Sequence, residues 1–326
     1  EAMIYSHPFI DLQKIYYILL CSTGIPVKKN VNPIFILSQC LIFFDPSVYS
    51  KTNLFAAYVV LARQCYLSKT TTIYLVALAI SDTLCLIWAG TFNLSNLFLG
   101  PDTIWTYIPW CCLSPILDYG TVLTSVWIIV CFTLERYVVL SHERVKRMFA
   151  KPKVAIWTIT GIVLTSYLVS VTVSFSRQKA SNGTENWWFT CSPRNSTNFT
   201  SFVWLHGFFS GGIPYALIIL FSALTAHQMK IKTRICTKTD SNALKMSKIR
   251  MMRSVRLLLT VSFTAVALGL PKFIIQCTPY MAMGFHTLDY SLPINVAADL
   301  SLMLQWMNSA LNFCLYCSGC TAFRKE

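Results

Sequence analysis

Six mostly apolar stretches follow the first 65 residues of the chain, at about 70–93, 106–140, 154–175, 202–227, 254–280 and 294–317. A helix that crosses the hydrocarbon core of a bilayer needs roughly 20 such residues. There every backbone N–H and C=O must also be paired within the segment, because no water is available to bond them. Only 12% of the 326 residues are charged and 55% are hydrophobic, where a soluble domain would carry about 25% charged residues. The chain reads as an all-α integral membrane protein with the bilayer as its solvent.

The 13 cysteines lie mostly within the apolar runs, where a thiol behaves as a small hydrophobe rather than as part of a disulfide framework. A net charge of +14 would suit a nucleic-acid binder, but such proteins display their basic residues on a soluble folded surface. Here the cations lie between apolar runs. Lys and Arg number two in 63–69 (Arg63, Lys69), six in 136–153, nine in 230–256 and two after Tyr316, together 19 of the 27. These segments alternate with segments poor in Lys and Arg, so the positive-inside rule places them in the cytoplasm. The N-terminus is then outside, the C-terminus inside, and the number of spans odd. Segment 230–253 becomes a cytoplasmic loop and 176–200 an extracellular one. That second loop carries the sequons of Asn182, Asn195 and Asn198, and glycosylation needs lumenal exposure. Asn93 begins a fourth sequon, too close to the membrane to be used.

The odd span must come from the start of the chain. Residues 12–27 begin an apolar helix and 53–63 finish one, but neither is long enough alone. Between them Lys28 to Thr52 holds Pro33, Asp45 and Pro46. Removing 28–52 joins Val27 to Asn53 and gives one span of ordinary length, so 28–52 is read as an insertion, such as translated intron. The ends, Glu1 and Glu326, read as clipped.

Taken together in order, the landmarks of the runs resemble the rhodopsin-like G-protein-coupled receptors over the whole chain outside 28–52. They are Asn53 in the first span; Leu78-Ala79-Ile80-Ser81-Asp82 in the second; Glu135-Arg136-Tyr137 at the end of the third; Trp157, Pro214 and Pro271 in the fourth, fifth and sixth; and Asn312-Phe313-Cys314-Leu315-Tyr316 in the seventh, followed by Phe323. The resemblance implies a single seven-transmembrane domain over 1–326, a plasma-membrane location, a small extracellular ligand and a heterotrimeric G protein as partner. It also implies that Glu135, Arg136, Tyr137, Pro271, Asn312 and Tyr316 carry activation, with Arg136 engaging the G protein. From Ser241 to Thr260 there is no Asp or Glu to pair with Arg136 from the sixth span. Glu135 alone is expected to restrain it, with considerable basal activity as the result.

Asp82, an acid near mid-membrane, is expensive and so reads as functional. With Asn53, Ser125, Asn308, Ser309 and Asn312 it resembles the family's sodium-binding cluster, sodium being the one ion expected; no other cofactor is. The alternative is a structural network of water and hydroxyls. The resemblance also implies a disulfide from Cys111, 25 residues before Arg136, to Cys191. Cys317 and Cys320 are candidates for palmitoylation or plain free thiols.

For the ligand, the charged residues of the outer halves are Asp118 and Lys272, with His206 and Gln276 beside them. An acid and a base across one cavity would hold the two ends of a zwitterion by charge-assisted hydrogen bonds; a closed Asp118–Lys272 ion pair, or a lysine that snorkels outward, is the alternative. The strings Tyr16-Tyr17-Ile18-Leu19-Leu20-Cys21, Gly24-Ile25-Pro26 and Leu311 to Cys317, with Asp299, resemble the orphan group around G-protein coupled receptor 139. Members of that group respond to aromatic amino acids and carry an acid, a base and a histidine at these places. Three positions depart from the wider family. Gly269 stands for the toggle Trp, Ala265 for an aromatic and Leu302 for a polar residue, so a widened pocket and a weakened trigger are expected. A transporter should show internal repeats or a charged pore, and an enzyme a motif such as His-Glu-x-x-His or Gly-x-Ser-x-Gly; neither is present. A non-signalling product of a degenerate gene or faulty gene model is the other alternative.

Overall fold

The computed structural model of the protein describes residues 46–62, 67–99, 107, 109–141, 151–174, 177–179, 191–193, 204–235, 242–278 and 292–319. Seven long helices stand among them: α1 Pro46–Ala62, α2 Lys69–Leu99, α3 Trp110–Ser141, α4 Pro152–Ser174, α5 Ile213–Ile235, α6 Asn242–Gln276 and α7 Pro293–Gly319. Five stretches are long and apolar enough to cross a membrane: Lys69–Trp88, Trp110–Ser141, Pro152–Thr172, Trp204–Lys232 and Met251–Gln276. α1 opens on Pro46, a residue suited to a first helical position because its missing N–H would be unpaired there anyway.

The helices form a bundle in which α3 links α4 to α5. α1 packs on α2, α2 on α3 and α4, α5 on α6, α6 on α7, and α7 returns to α1 and α2; α3 runs through the middle against α2, α4, α5 and α6. Around an apolar core, large apolar side chains also cover the outside, and polar side chains share the interior. Phe263 and Trp157 are each 75% exposed and Leu168 72%, while Asn53, Thr71, Asp82, Thr133, Glu135 and Arg136 are buried. A hydroxyl survives inside such a helix by bonding the carbonyl one turn back, as Thr83 does to Ala79, Thr124 to Gly120 and Thr133 to Ile129. Trp157, one of the landmarks, therefore looks outward rather than into the bundle.

Small residues set the closest approaches, as expected where helices associate by packing rather than by exclusion of water. A Cβ on Gly120 of α3 would lie 2.8 Å from the Tyr167 ring of α4. Before α5 the chain makes a π turn over Phe208–Gly212, with the N–H of Ile213 reaching the carbonyl of Phe208. The next residue, Pro214, has no N–H to give the carbonyl of Phe209. Trp127 of α3 supplies the donor instead, its Nε1 lying 3.2 Å from that oxygen. A two-stranded antiparallel ribbon, β1 Arg177–Lys179 and β2 Cys191–Pro193, follows α4 and sets Lys179 opposite Cys191.

Several expected boundaries shift. The loop expected at 230–253 is helical over 230–235 and 242–253, because Lys, Arg, Met and Leu are good helix formers and these turns need no bilayer. The second run continues to Leu99 and so takes Asn93 into the helix, while the sixth ends at Gln276 rather than 280. Residues 12–27, segment 28–45, Asn182, Asn195, Asn198, Cys320 and Phe323, and the side chains of Cys191, Asn312, Tyr316 and Cys317, lie outside the described residues.

Candidate functional site

At the Cys111 end of the bundle three helices bring charge together. Asp118 sits two turns into α3, Lys272 follows Pro271 in α6, and Asp299 lies in α7. Asp299 and Asp118 both lie within electrostatic reach of the Lys272 ammonium, and Asp118 and Lys272 make no direct ion pair among the described residues. Oδ1 of Asp118 is buried without a hydrogen-bond partner. His206 approaches from the turn that precedes Phe208. Its ring meets Tyr119 edge-on at 4.9 Å and 85°, and its Nε2 is likewise buried without a partner. Gln276 belongs here too, its amide packed against Gly207, about 3.5 Å from where a Cβ would stand. Leaving a buried polar group unpaired costs about 1–3 kcal/mol. Asp118 and His206 thus set an acceptor and a ring nitrogen at the same end of the bundle.

Beneath them the expected widening is absent. Tyr215, the residue after Pro214, is buried and places its hydroxyl and ring on Gly269. A Cβ at 269 would lie 2.6 Å from the Tyr215 Cζ and would overlap the hydroxyl oxygen. The tyrosine of α5 thus takes the volume that a helix 6 Trp would have filled, and only glycine leaves room for it. One turn further out the fit reverses: Phe273 of α6 enters a notch in the π turn, where Cβ atoms on Gly211 and Gly212 would come within 2.7 and 2.9 Å of its ring. The Trp306 indole from α7 is buried with Cys85 and Met303 against Val122, one turn below Asp118, and Leu302. Leu302 is apolar because it packs on this cluster.

Midway along the bundle, Oδ1 of Asp82 accepts from Ser125 Oγ at 2.8 Å and Ser309 Oγ at 3.1 Å. Asn53 Nδ2 donates to the Ser309 carbonyl at 3.2 Å, and Oδ1 of Asn308 is buried without a partner. Asp82, Ser125 and Ser309 therefore form one cluster of oxygen donors, the ligand type that suits a hard cation.

At the opposite end Arg136 is held on several sides. Glu135 grips it with two oxygens, Nε to Oε2 at 2.5 Å and Nη2 to Oε1 at 2.6 Å, and the Phe132 ring lies 5.7 Å below the guanidinium. The expectation that Glu135 acts alone is wrong. Thr70 Oγ1 and Ser68 Oγ at the start of α2 also accept from Arg136, at 2.8 and 3.4 Å. Those hydroxyls are a helix start signal, Ser68 accepting the N–H of Thr71 as a cap at 3.2 Å, and that signal could have pointed to them. Tyr137 stacks on Phe221 of α5 at 6.3 Å.

Cys111 is disulfide-bonded, whereas the neighbouring Cys112 carries a free thiol.

The sequence matches the profile described as "7 transmembrane receptor (rhodopsin family)" over residues 52–316. Among curated proteins it is similar to melanin-concentrating hormone receptor 1 of Rattus norvegicus, 23% identical over 223 residues, which is 66% of this chain and 58% of that protein. The Sus scrofa protein of the same name is 23% identical over 271 residues, covering 80% of this chain and 70% of its own length. The human protein is 22% identical over 223 residues, again 66% and 58%. The chain thus spans a little under three fifths of the rat and human relatives.

Proposed function

The chain belongs to the rhodopsin family of seven-transmembrane receptors, a multi-pass membrane protein and a receptor rather than an enzyme, and we propose that it senses a small extracellular zwitterion and activates a heterotrimeric G protein. In this reading it sits in the plasma membrane with its N-terminus and Cys111 end outside. The clusters of Lys and Arg at the other end support that orientation through the positive-inside rule.

The observation that carries the ligand class is the Asp118–Lys272 arrangement: opposite charges on α3 and α6 at the same end of the bundle, with a buried carboxylate oxygen left unbonded. An aromatic amino acid fits it. Its ammonium would complete Asp118, its carboxylate would draw Lys272 from Asp299, and its ring would lie toward His206 and Tyr119. The resemblance to the group around G-protein coupled receptor 139 supports the same ligand. A hormone is the second reading, favoured by the likeness to receptors named for melanin-concentrating hormone.

In the proposed response, a ligand bridging α3 and α6 draws on Lys272 beside Pro271, and the inner end of α6 opens to expose Arg136, with Tyr137, Asn312 and Tyr316 taking part. Asp82, Ser125 and Ser309, with Asn308 and Asn312, would hold a sodium ion by oxygen alone. Cys111 would pair with Cys191 and tie the β ribbon to α3, and Asn182, Asn195 and Asn198 would carry glycans. Segment 28–52 remains proposed as an insertion; the family match beginning at residue 52 supports this, whereas the continuation of α1 back through 46–52 speaks for keeping its last turns in the fold.

The test is expression with and without 28–52, reading surface delivery and second messenger against a panel of amino acids and melanin-concentrating hormone. A response to aromatic amino acids that Asp118→Ala and Lys272→Ala both abolish is the expected result. A surface-delivered protein without basal or ligand-driven signal would sink the receptor function and favour a non-signalling gene product. A response untouched by both substitutions would sink the zwitterion.

A further inference from the structure

α6 carries no carboxylate near Arg136, but the structure does connect the two. Arg136 donates to Thr70 and Ser68, whose oxygens lie 3.0 Å apart. Ser68 Oγ is 2.7 Å from Thr71 Oγ1, and Thr71 Oγ1 is 3.1 Å from Ser254 Oγ on α6. Thr71 and Ser254 are buried at 0% and 3% exposure, so water does not compete with the contact.

The direction of the chain follows from donor counting. A guanidinium only donates, and a hydroxyl has one proton and two lone pairs. Ser68 accepts from Arg136 and from the Thr71 N–H, which fills its lone pairs and leaves its proton to be passed on. Thr71 is the nearer acceptor, and its own hydroxyl meets that of Ser254, where the arrangement with Thr71 donating onward completes the chain. Bonds aligned head to tail polarise one another and strengthen. The charge of Arg136 is in this way felt at α6 without any ion there.

We propose that this hydroxyl relay, Ser68 and Thr71 to Ser254, is the restraint that holds the Arg136 end of α6 against α2 and α3 in the resting receptor. It rests on the reading of the chain as a receptor whose α6 moves. Its chemistry sets its strength. One neutral hydrogen bond between helices is cheaper to break than a buried ion pair, so the resting state is held lightly and basal activity follows.

The test uses the intact chain carrying Thr71→Val, Ser254→Ala, both together, and the hydroxyl-keeping Thr71→Ser and Ser254→Thr. Two quantities are read: basal nucleotide exchange on purified G protein, and the distance between spin labels placed at the exposed Lys69 and Arg256 positions by non-natural amino acids. Each hydroxyl deletion should raise exchange about three- to fivefold, the change that one net hydrogen bond between helices commands. The same variants should populate a longer label distance. The double variant should do no more than either single one, and the hydroxyl-keeping variants should match the parent. Unchanged distances in well-expressed deletion variants would overturn the relay, as would effects that multiply in the double variant. Longer distances without any exchange would uphold the relay and overturn the proposed G-protein function instead.

Discussion

The two ends of the bundle treat their buried ionisable groups in opposite ways. At the Asp118 end, Oδ1 of Asp118 and Nε2 of His206 are buried with nothing to bond. At the Arg136 end the guanidinium has Glu135, Thr70, Ser68 and a ring face. Both arrangements come from one chain and one solvent, so the difference is not a matter of composition. A buried ionisable group without a partner is one that an incoming molecule can complete; one with several partners has something to lose when it moves. The proposed roles, sensing at the first end and restraint at the second, follow that contrast.

The comparison breaks if substitutions at the two ends have the same consequence. Asp118→Ala should shift the ligand response by on the order of 100-fold, since removing one partner of a buried hydrogen-bonded charge pair costs about 2–5 kcal/mol. Basal signal should stay within about twofold. Glu135→Gln should do the reverse, raising basal signal roughly tenfold through loss of a charge-assisted bond worth about 1.5–3 kcal/mol, with a small change in ligand potency. Dose–response curves on surface-matched cells read both; a basal rise from Asp118→Ala would erase the division of labour.

A sharper test lies at the junction of the ends. Gly269→Trp should cut surface delivery severely, because overpacking costs about 1–3 kcal/mol or more and Tyr215 occupies the space. Tyr215→Ala in the same chain should restore much of it. If Gly269→Trp alone is delivered normally, the tyrosine does not fill that volume. The smallest effect expected is from Trp127→Phe. It leaves the Phe209 carbonyl without its donor and should lower stability by about 1 kcal/mol, visible as a modest fall in the melting temperature of purified protein with signalling kept.

How much of this the sequence shows depends on the range of the interaction. The helices are legible because apolar length is a local property, and Arg136, Asp82 and Asp118 stand out because a charge in an apolar run needs a reason. Ser125 and Ser309 around Asp82 follow from the family pattern. What escapes sequence reading is reciprocal packing. Gly269 looks like a missing part until Tyr215 is seen against it, and nothing in either residue's neighbourhood announces the other. Thr71 and Ser254 are 183 positions apart, so a hydroxyl restraint is invisible to a search for an acid on α6. Asp299 shows as a charge in the last run, but its nearness to Lys272 across α6 and α7 needs the fold.

The π turn at Phe208–Gly212 has a consequence for counting. It adds one residue to the helix, and one residue is about 100° of rotation, so every position before Phe208 faces a quarter turn away from where an uninterrupted α-helix would put it. Leu205, 56% exposed, looks outward and His206 inward because of that single extra residue. Deleting one residue of the turn, Ser210 for instance, would leave the composition of the segment nearly unchanged and yet present a different side chain to whatever binds beside Tyr119. An alignment that places this histidine by distance from Pro214 alone will put the wrong residue in the pocket of any relative that lacks the turn.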